Sequence, residues 1–268
     1  MPGLPLALGI TLVYVAIIVV LPLAALVFKA ASLGPEDYWR IISSDRAVAS
    51  YRVTVTCALV ATVFNLFFGL SLAWVLVRYR FPGRRLVDAL VDLPFALPTA
   101  VAGIALTTLF ATNGWFGGPL SHLGIKVAYT PLGIMVAMSF TSIPFIVRTV
   151  QPVLEELDPA LEEAGQTLGA SDLSIFVGVI LPLLTPALLA GVSLSFARSL
   201  GEFGAIIFIA GNQPFSTEIT ALLAFIRLEE YDYPASAAIA SVMLMTAFVM
   251  LAFTNYMQAR ALRYTLRG

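Results

Sequence analysis

Apolar runs long enough to cross a lipid bilayer recur along the chain, and no other feature restricts its fold as strongly. A helix needs about 20 residues to traverse roughly 30 Å of hydrocarbon. Since lipid offers backbone amides no water to bond, a spanning segment must satisfy them internally, which selects helices for runs of this length. Six runs fit, at about 5–28, 53–77, 91–112, 129–150, 183–211 and 235–257. They predict an all-α, polytopic membrane protein with six transmembrane helices, organised as a single domain over residues 1–268. Composition agrees: 12% of residues are charged, against roughly 25% in soluble domains.

The net charge of −1 gives no basic surplus for nucleic acid. Cys57, the single cysteine, lies in an apolar run, which excludes an intrachain disulfide and a cysteine metal cluster and leaves packing as its expected role. The first run, Leu4 to Phe28, has no positively charged leader and exceeds the roughly 7–15 apolar residues of a signal peptide, so it is expected to be a retained helix. Arginines gather after the second run (Arg78, Arg80, Arg84, Arg85) and after the last (Arg260, Arg263, Arg267), whereas the 113–127 and 212–234 loops hold only Lys126 and Arg227. The positive-inside rule then places both termini in the cytoplasm. Lys29, Arg40, Arg46 and Arg52 dissent from an outer loop, offset in part by Glu36, Asp37 and Asp45. Pro94 and Pro98, one turn apart in "DLPFALPTAVAG", each remove a backbone hydrogen bond and predict a kinked third helix.

With this orientation residues 151–182 form a cytoplasmic loop. Asp158 and Pro159 read as a cap and first helical position, and Gly169 as a left-handed stop, so a helix is expected over about 159–168. Leu161, Ala164, Gly165 and Leu168 recur at helical spacing, giving an apolar face nearly bare in its middle, open to close approach. Ser171 is expected to cap a second helix carrying Leu173, Phe176, Val177 and Ile180, which hands over to the fifth span at Pro182. Glu155, Glu156, Asp158, Glu162 and Glu163 surround the pair with negative charge, and no basic residue lies between Gln151 and Pro182. A membrane-surface helix is usually rich in lysine and arginine, so this pair reads as a plug for a groove in a protein partner.

The run Glu163-Ala164-Gly165, then Gly169, then Val179-Ile180-Leu181-Pro182 resembles the EAA signature of permease subunits in ATP-binding-cassette importers. Gly165 replaces the usual alanine and Val179 the usual isoleucine. "RYRFPGRRLVDALVDLPFALPTAVAG", "TSIPFIVRTVQPVLEEL", "SFARSLGEFGAIIFIAGN" and "DYPASAAIASV" extend the resemblance to T-type permeases of sulfate/thiosulfate importers, while "LGEFGA" also occurs in molybdate permeases. The resemblance implies the binding-protein-dependent permease fold in the bacterial inner membrane. Glu163, Ala164, Gly165, Leu168, Gly169 and Pro182 would couple to an ATPase as a coupling helix. It also implies two ATPase subunits, a second, W-type permease, and a periplasmic or lipid-anchored sulfate-binding protein. No cofactor or metal is expected, and no GxxxxGK[ST] loop occurs, so ATP hydrolysis must lie in a partner.

Arg198 and Glu202 sit within the fifth apolar run, where an unpaired charge costs about 2.5 kcal/mol or more at the bilayer centre. At i, i+4 they are placed to pair, and Ser195 and Ser199 extend the same face. Two readings stand: a structural ion pair, or a polar stripe along the anion route with Arg198 offering its guanidinium fork. The 217–230 segment, with Ile219, Leu222, Leu223 and Ile226 opposite Arg227, Glu229 and Glu230, is an amphipathic helix that lines an outer gate, meets a binding protein or lies at the interface. His122 has no converging partner in sequence, and no catalytic residue is expected. The competing functions are a molybdate or tungstate permease, an ion-gradient-driven carrier and an intramembrane hydrolase. The last lacks a nucleophile and base, and a carrier has no use for a docking loop.

Overall fold

The computed structural model describes residues 3–265, and within them the secondary structure is helical throughout. Arg267 lies outside these residues, as does the side chain of Arg263. The first crossing joins α1 (Leu4–Val15) to α2 (Leu21–Ala31) through a widened π turn, Ala16–Val20. A short α3 (Pro35–Ile42) leads to the second crossing, α4 (Asp45–Arg78). The third crossing is not one helix: α5 (Arg84–Val91), α6 (Leu93–Ala96) and α7 (Thr99–Phe110) follow one another. After α8 (Gly117–His122), α9 (Pro131–Glu156) makes the fourth crossing. Then come α10 (Ala160–Thr167), α11 (Asp172–Ile175), a second π turn (Phe176–Ile180) and α12 (Leu181–Leu200), the fifth crossing. The chain closes with α13 (Ile206–Ile209), α14 (Thr220–Glu229) and α15 (Tyr233–Thr265), the sixth crossing.

Two of the six spans differ in detail from expectation. Among the described residues five helical stretches are long and apolar enough to cross a membrane, and the run at 91–112 is not among them. Leu97 and Pro98 are extended, with ψ of 132° and 131°, because neither proline leaves the amide needed to carry one helix through. The twelve residues of α7 cover only about 18 Å at 1.5 Å each, so the third crossing depends on α5 and α6 as well. The fifth run, expected to reach residue 211, stops at Leu200, and Glu202 lies in the non-helical stretch before α13.

Ion pairs between distant segments mark the two ends of the bundle. At one end Arg46 grips Glu218 through two bonds of 2.8 and 2.6 Å. At the other, Arg148 donates to both carboxylate oxygens of Asp92 (2.8 and 2.7 Å) and to Asp88 (2.6 Å), pinning the α5–α6 joint to α9. Arg78 pairs with Glu162 at this second end, so the loops after the second and fourth crossings lie together, as alternation of six crossings requires. The dissenting basic residues are partly explained: Arg46 is neutralised by Glu218 and Arg40 by Asp37, 2.7 Å away.

The buried face of α4 is built mostly from small residues. Along α4, Ala47, Ser50, Thr54, Ala58, Ala61, Asn65, Gly69 and Ala73 are buried, while Phe64, Phe67 and Phe68 face outward. In lipid, large apolar side chains gain nothing by turning inward, so close approach of small ones drives helix association. Two apolar clusters form on α4, α9 and α12, one around Ala61, Met138 and Phe196 and the other around Leu76, Val150 and Leu184. Between them runs a polar layer in which Asn65 Nδ2 donates to Ser142 Oγ (2.8 Å) and Ser199 Oγ donates to the same oxygen (3.1 Å).

Candidate functional site

The loop between the fourth and fifth crossings has much of the local structure its sequence predicts. Pro159 takes the cap position, one residue later than expected, and Asp158 Oδ1 before it accepts from the Ala160 amide at 2.9 Å. Gly169 takes φ +79°, a left-handed stop that L side chains resist. Ser171 Oγ accepts from the Ser174 amide at 3.3 Å, capping α11. Beyond it the structure differs: α11, the π turn and α12 form one continuous helix, Asp172–Leu200, with Pro182 inside it at the start of α12. Proline is accommodated there because the π turn already shifts the local bonding pattern. The expected pair of short helices is therefore one short helix packed on the first turns of the fifth crossing.

The bare middle of α10 is occupied by the chain itself. A Cβ on Gly165 would sit 2.8 Å from Ile175 Cγ1, so the glycine lets α10 settle against α11. The open face is elsewhere, at Glu163, Ala164 and Leu168, all exposed, with Leu168 88% accessible and Leu173 beside it 73% accessible. Two large apolar side chains presented among carboxylates at the tip of this loop are suited to insertion into a protein cleft.

The polar stripe of the fifth crossing divides. Arg198 Nη1 lies 2.7 Å from Glu202 Oε2, and the pair forms as the spacing predicts. Glu202 is 1% exposed, and its Oε1 also accepts from the Ala205 amide at 2.9 Å, so the carboxylate closes the non-helical turn after α12. Ser195 and Ser199 are fully buried, and Ser199 bonds Ser142 on α9. The structure thus joins Arg198 with Glu202, and assigns the serines to the packed interior. That turn rests against α7: a Cβ on Gly103 would fall 2.4 Å from the Ala205 carbonyl oxygen. Gly103→Ala is therefore expected to destabilise the folded protein by about 1–3 kcal/mol through overpacking against backbone. A thermal-unfolding midpoint of the detergent-solubilised chain equal to wild type contradicts the close approach.

The 217–230 segment also resolves into α14, whose Leu222 and Leu223 are buried against α4 and α15, which rules out a helix resting its apolar face on lipid. Sequence reading did not find the pairs Arg78–Glu162, Arg148–Asp88, Arg148–Asp92 and Arg46–Glu218. Their members are separated by 84, 60, 56 and 172 residues, and no spacing rule reaches that far. Placing both members at the same end of the bundle was the only available signal.

Residues 65–263 match the family described as the inner membrane component of binding-protein-dependent transport systems. The sulfate transport system permease protein CysT of Salmonella typhimurium is 58% identical over 97% of this chain and 94% of its own length. That of Synechocystis is 48% identical over 95% and 89%. Among solved structures, a bacterial alginate ABC importer superposes with TM-score 0.79 at 18% identity, covering 96% of this chain and 95% of the other. A methionine ABC transporter gives TM-score 0.63 at 17% identity, over 85% and 99%. At these identities the structural likeness speaks for the fold.

Proposed function

The chain belongs to the inner membrane components of binding-protein-dependent transport systems, and on that premise we propose that it is the permease subunit of an ATP-binding-cassette importer that carries sulfate, and thiosulfate with it, into the cell. It is a transport subunit and not an enzyme. The observation that carries the substrate assignment is the near-full-length identity of 58% to a sulfate permease. The capped loop between the fourth and fifth crossings supplies the mechanism.

ATP hydrolysis takes place in two partner ATPase subunits, and a second, W-type permease completes the passage. A periplasmic or lipid-anchored binding protein delivers the anion at the opposite face. The coupling loop and both termini lie in the cytoplasm, where Arg78, Arg80, Arg84 and Arg85 also gather. Glu163, Ala164 and Leu168 enter the ATPase cleft, while Gly165, Gly169 and Pro182 shape the loop and its exit. Closure of the ATPase dimer moves the loop, and the bundle passes between two states that differ in which side is open. Arg198 and Glu202 act as a structural lock on the break after α12, with Ser195 and Ser199 packed behind it.

The test is uptake by cells that lack their own sulfate permeases and express this chain with its partners. Labelled sulfate should enter, and excess thiosulfate should compete while excess molybdate should not. Competition by molybdate alone would move the assignment to the molybdate and tungstate permeases. Uptake that continues without any ATPase subunit would make the protein a gradient-driven carrier.

A further inference from the structure

We propose that the Arg78–Glu162 ion pair is a positioning element that delivers movement of the coupling loop to α4; the inference rests on the coupling role proposed above. By chain connection α10 is tied to α9 on one side and to α12, through α11, on the other. Nothing in the covalent chain ties it directly to α4, the helix most extensively packed against α9. Arg78 is the last residue of α4, and Glu162 lies in the first turn of α10. Their ion pair bridges two elements that the backbone leaves independent.

The surroundings fit a link more than ordinary surface charge pairing. Both side chains are largely covered, 21% and 27% exposed, which limits screening by water and salt. The Arg78 guanidinium also lies over the Trp74 ring, 5.4 Å from its centroid, and Trp74 meets Phe176 edge-on at 5.4 Å. Phe176 opens the π turn between α11 and α12, the kind of local irregularity at which a helix bends. A ring of contacts thus runs from Glu162 through Arg78, Trp74 and Phe176, and returns through Ile175 beneath Gly165.

Beside this ring a cleft of about 880 Å³ separates α4 from α10 and α11, lined by Phe67, Leu70 and Trp74 on one wall and Gln166, Leu173 and Phe176 on the other. Trp74, Phe176 and Ile175 join α4 to α11 in one apolar cluster, whereas α10 on the cleft's wall meets α4 through the Glu162–Arg78 pair. With the pair broken, α10 is free to shift on its α11 contact without carrying α4. With the pair intact, α4, α10 and the start of the α12 helix move as one body.

The test uses the complete transporter reconstituted in liposomes, with import and ATP hydrolysis measured together. Arg78→Gln and Glu162→Gln are compared with the exchanged pair Arg78→Glu/Glu162→Arg. Each variant should retain its ATPase subunit on copurification, because the exposed docking residues are untouched. Sulfate imported per ATP hydrolysed should fall about fivefold or more in the single variants, the scale of coupling between sites. The exchanged pair should recover most of that ratio, which a general loss of folding would not permit. Single variants with a wild-type ratio, or an exchanged pair as defective as either single variant, would overturn the link. Loss of the ATPase subunit from the single variants would also overturn it, by assigning the pair to docking. The underlying docking role is read separately, from Glu163→Lys in the same preparation.

Discussion

Glu163→Lys is expected to leave the chain inserted in the membrane and to abolish import. Glu163 is exposed on α10, outside every apolar run, and contributes to none of the ion pairs that hold the bundle together. A surface substitution of that kind usually changes stability by no more than about 0.5 kcal/mol. At an interface the consequence is different, since reversing a charge toward a complementary partner costs several kcal/mol. With each 1.4 kcal/mol worth about tenfold in binding, the ATPase subunit should be lost. Three measurements check this: the amount of chain in the membrane fraction, recovery of the ATPase subunit on copurification, and labelled sulfate uptake. Normal uptake by the variant would remove the docking assignment, whatever its effect on yield.

Glu202→Ala should be the most damaging change inside the bundle. It removes a carboxylate that is 1% exposed, leaves Arg198 without its partner, and frees the Ala205 amide at the break after α12. Breaking one side of a buried pair costs about 3–5 kcal/mol, so little folded protein should survive solubilisation and gel filtration. Arg198→Gln should be damaging for the converse reason, because the Glu202 carboxylate then loses its charged partner in the interior. The double variant Arg198→Gln/Glu202→Gln removes both charges while keeping a polar side chain at each position, and it should recover the folded yield. Its uptake rate then separates the two roles open to Arg198. If the pair is a structural lock, folded double variant imports sulfate at a near-normal rate; persistent failure to import would make the guanidinium part of the anion route.

The legible parts of this protein were those enforced over short distances. Asp158, Gly169 and Ser171 announced the coupling loop because a cap or a left-handed stop is settled within a few residues. Arg198 and Glu202 were legible for the same reason, being one helical turn apart. The face left bare at Gly165, which its spacing offers to a partner, is filled by Ile175 of the same chain. Periodicity reports that a surface is bare and says nothing of what fills it. The fifth apolar run extends past its helix because Phe203, Ile206 and Ile207 are as apolar as a helix interior, and hydropathy does not register the turn that Glu202 closes.

The amino-acid sequence alone determined that the chain crosses a membrane, that it does so by helices, and that an acidic, capped loop stands between the fourth and fifth crossings. Lipid imposes these locally, since every backbone amide must find its partner within its own segment. Tertiary structure decided which charges meet, where the third and fifth crossings break, and how α10 is tied to α4. Those outcomes depend on which surfaces come together in the bundle, and residues 56 to 172 positions apart carry no mutual signal until packing has made them neighbours.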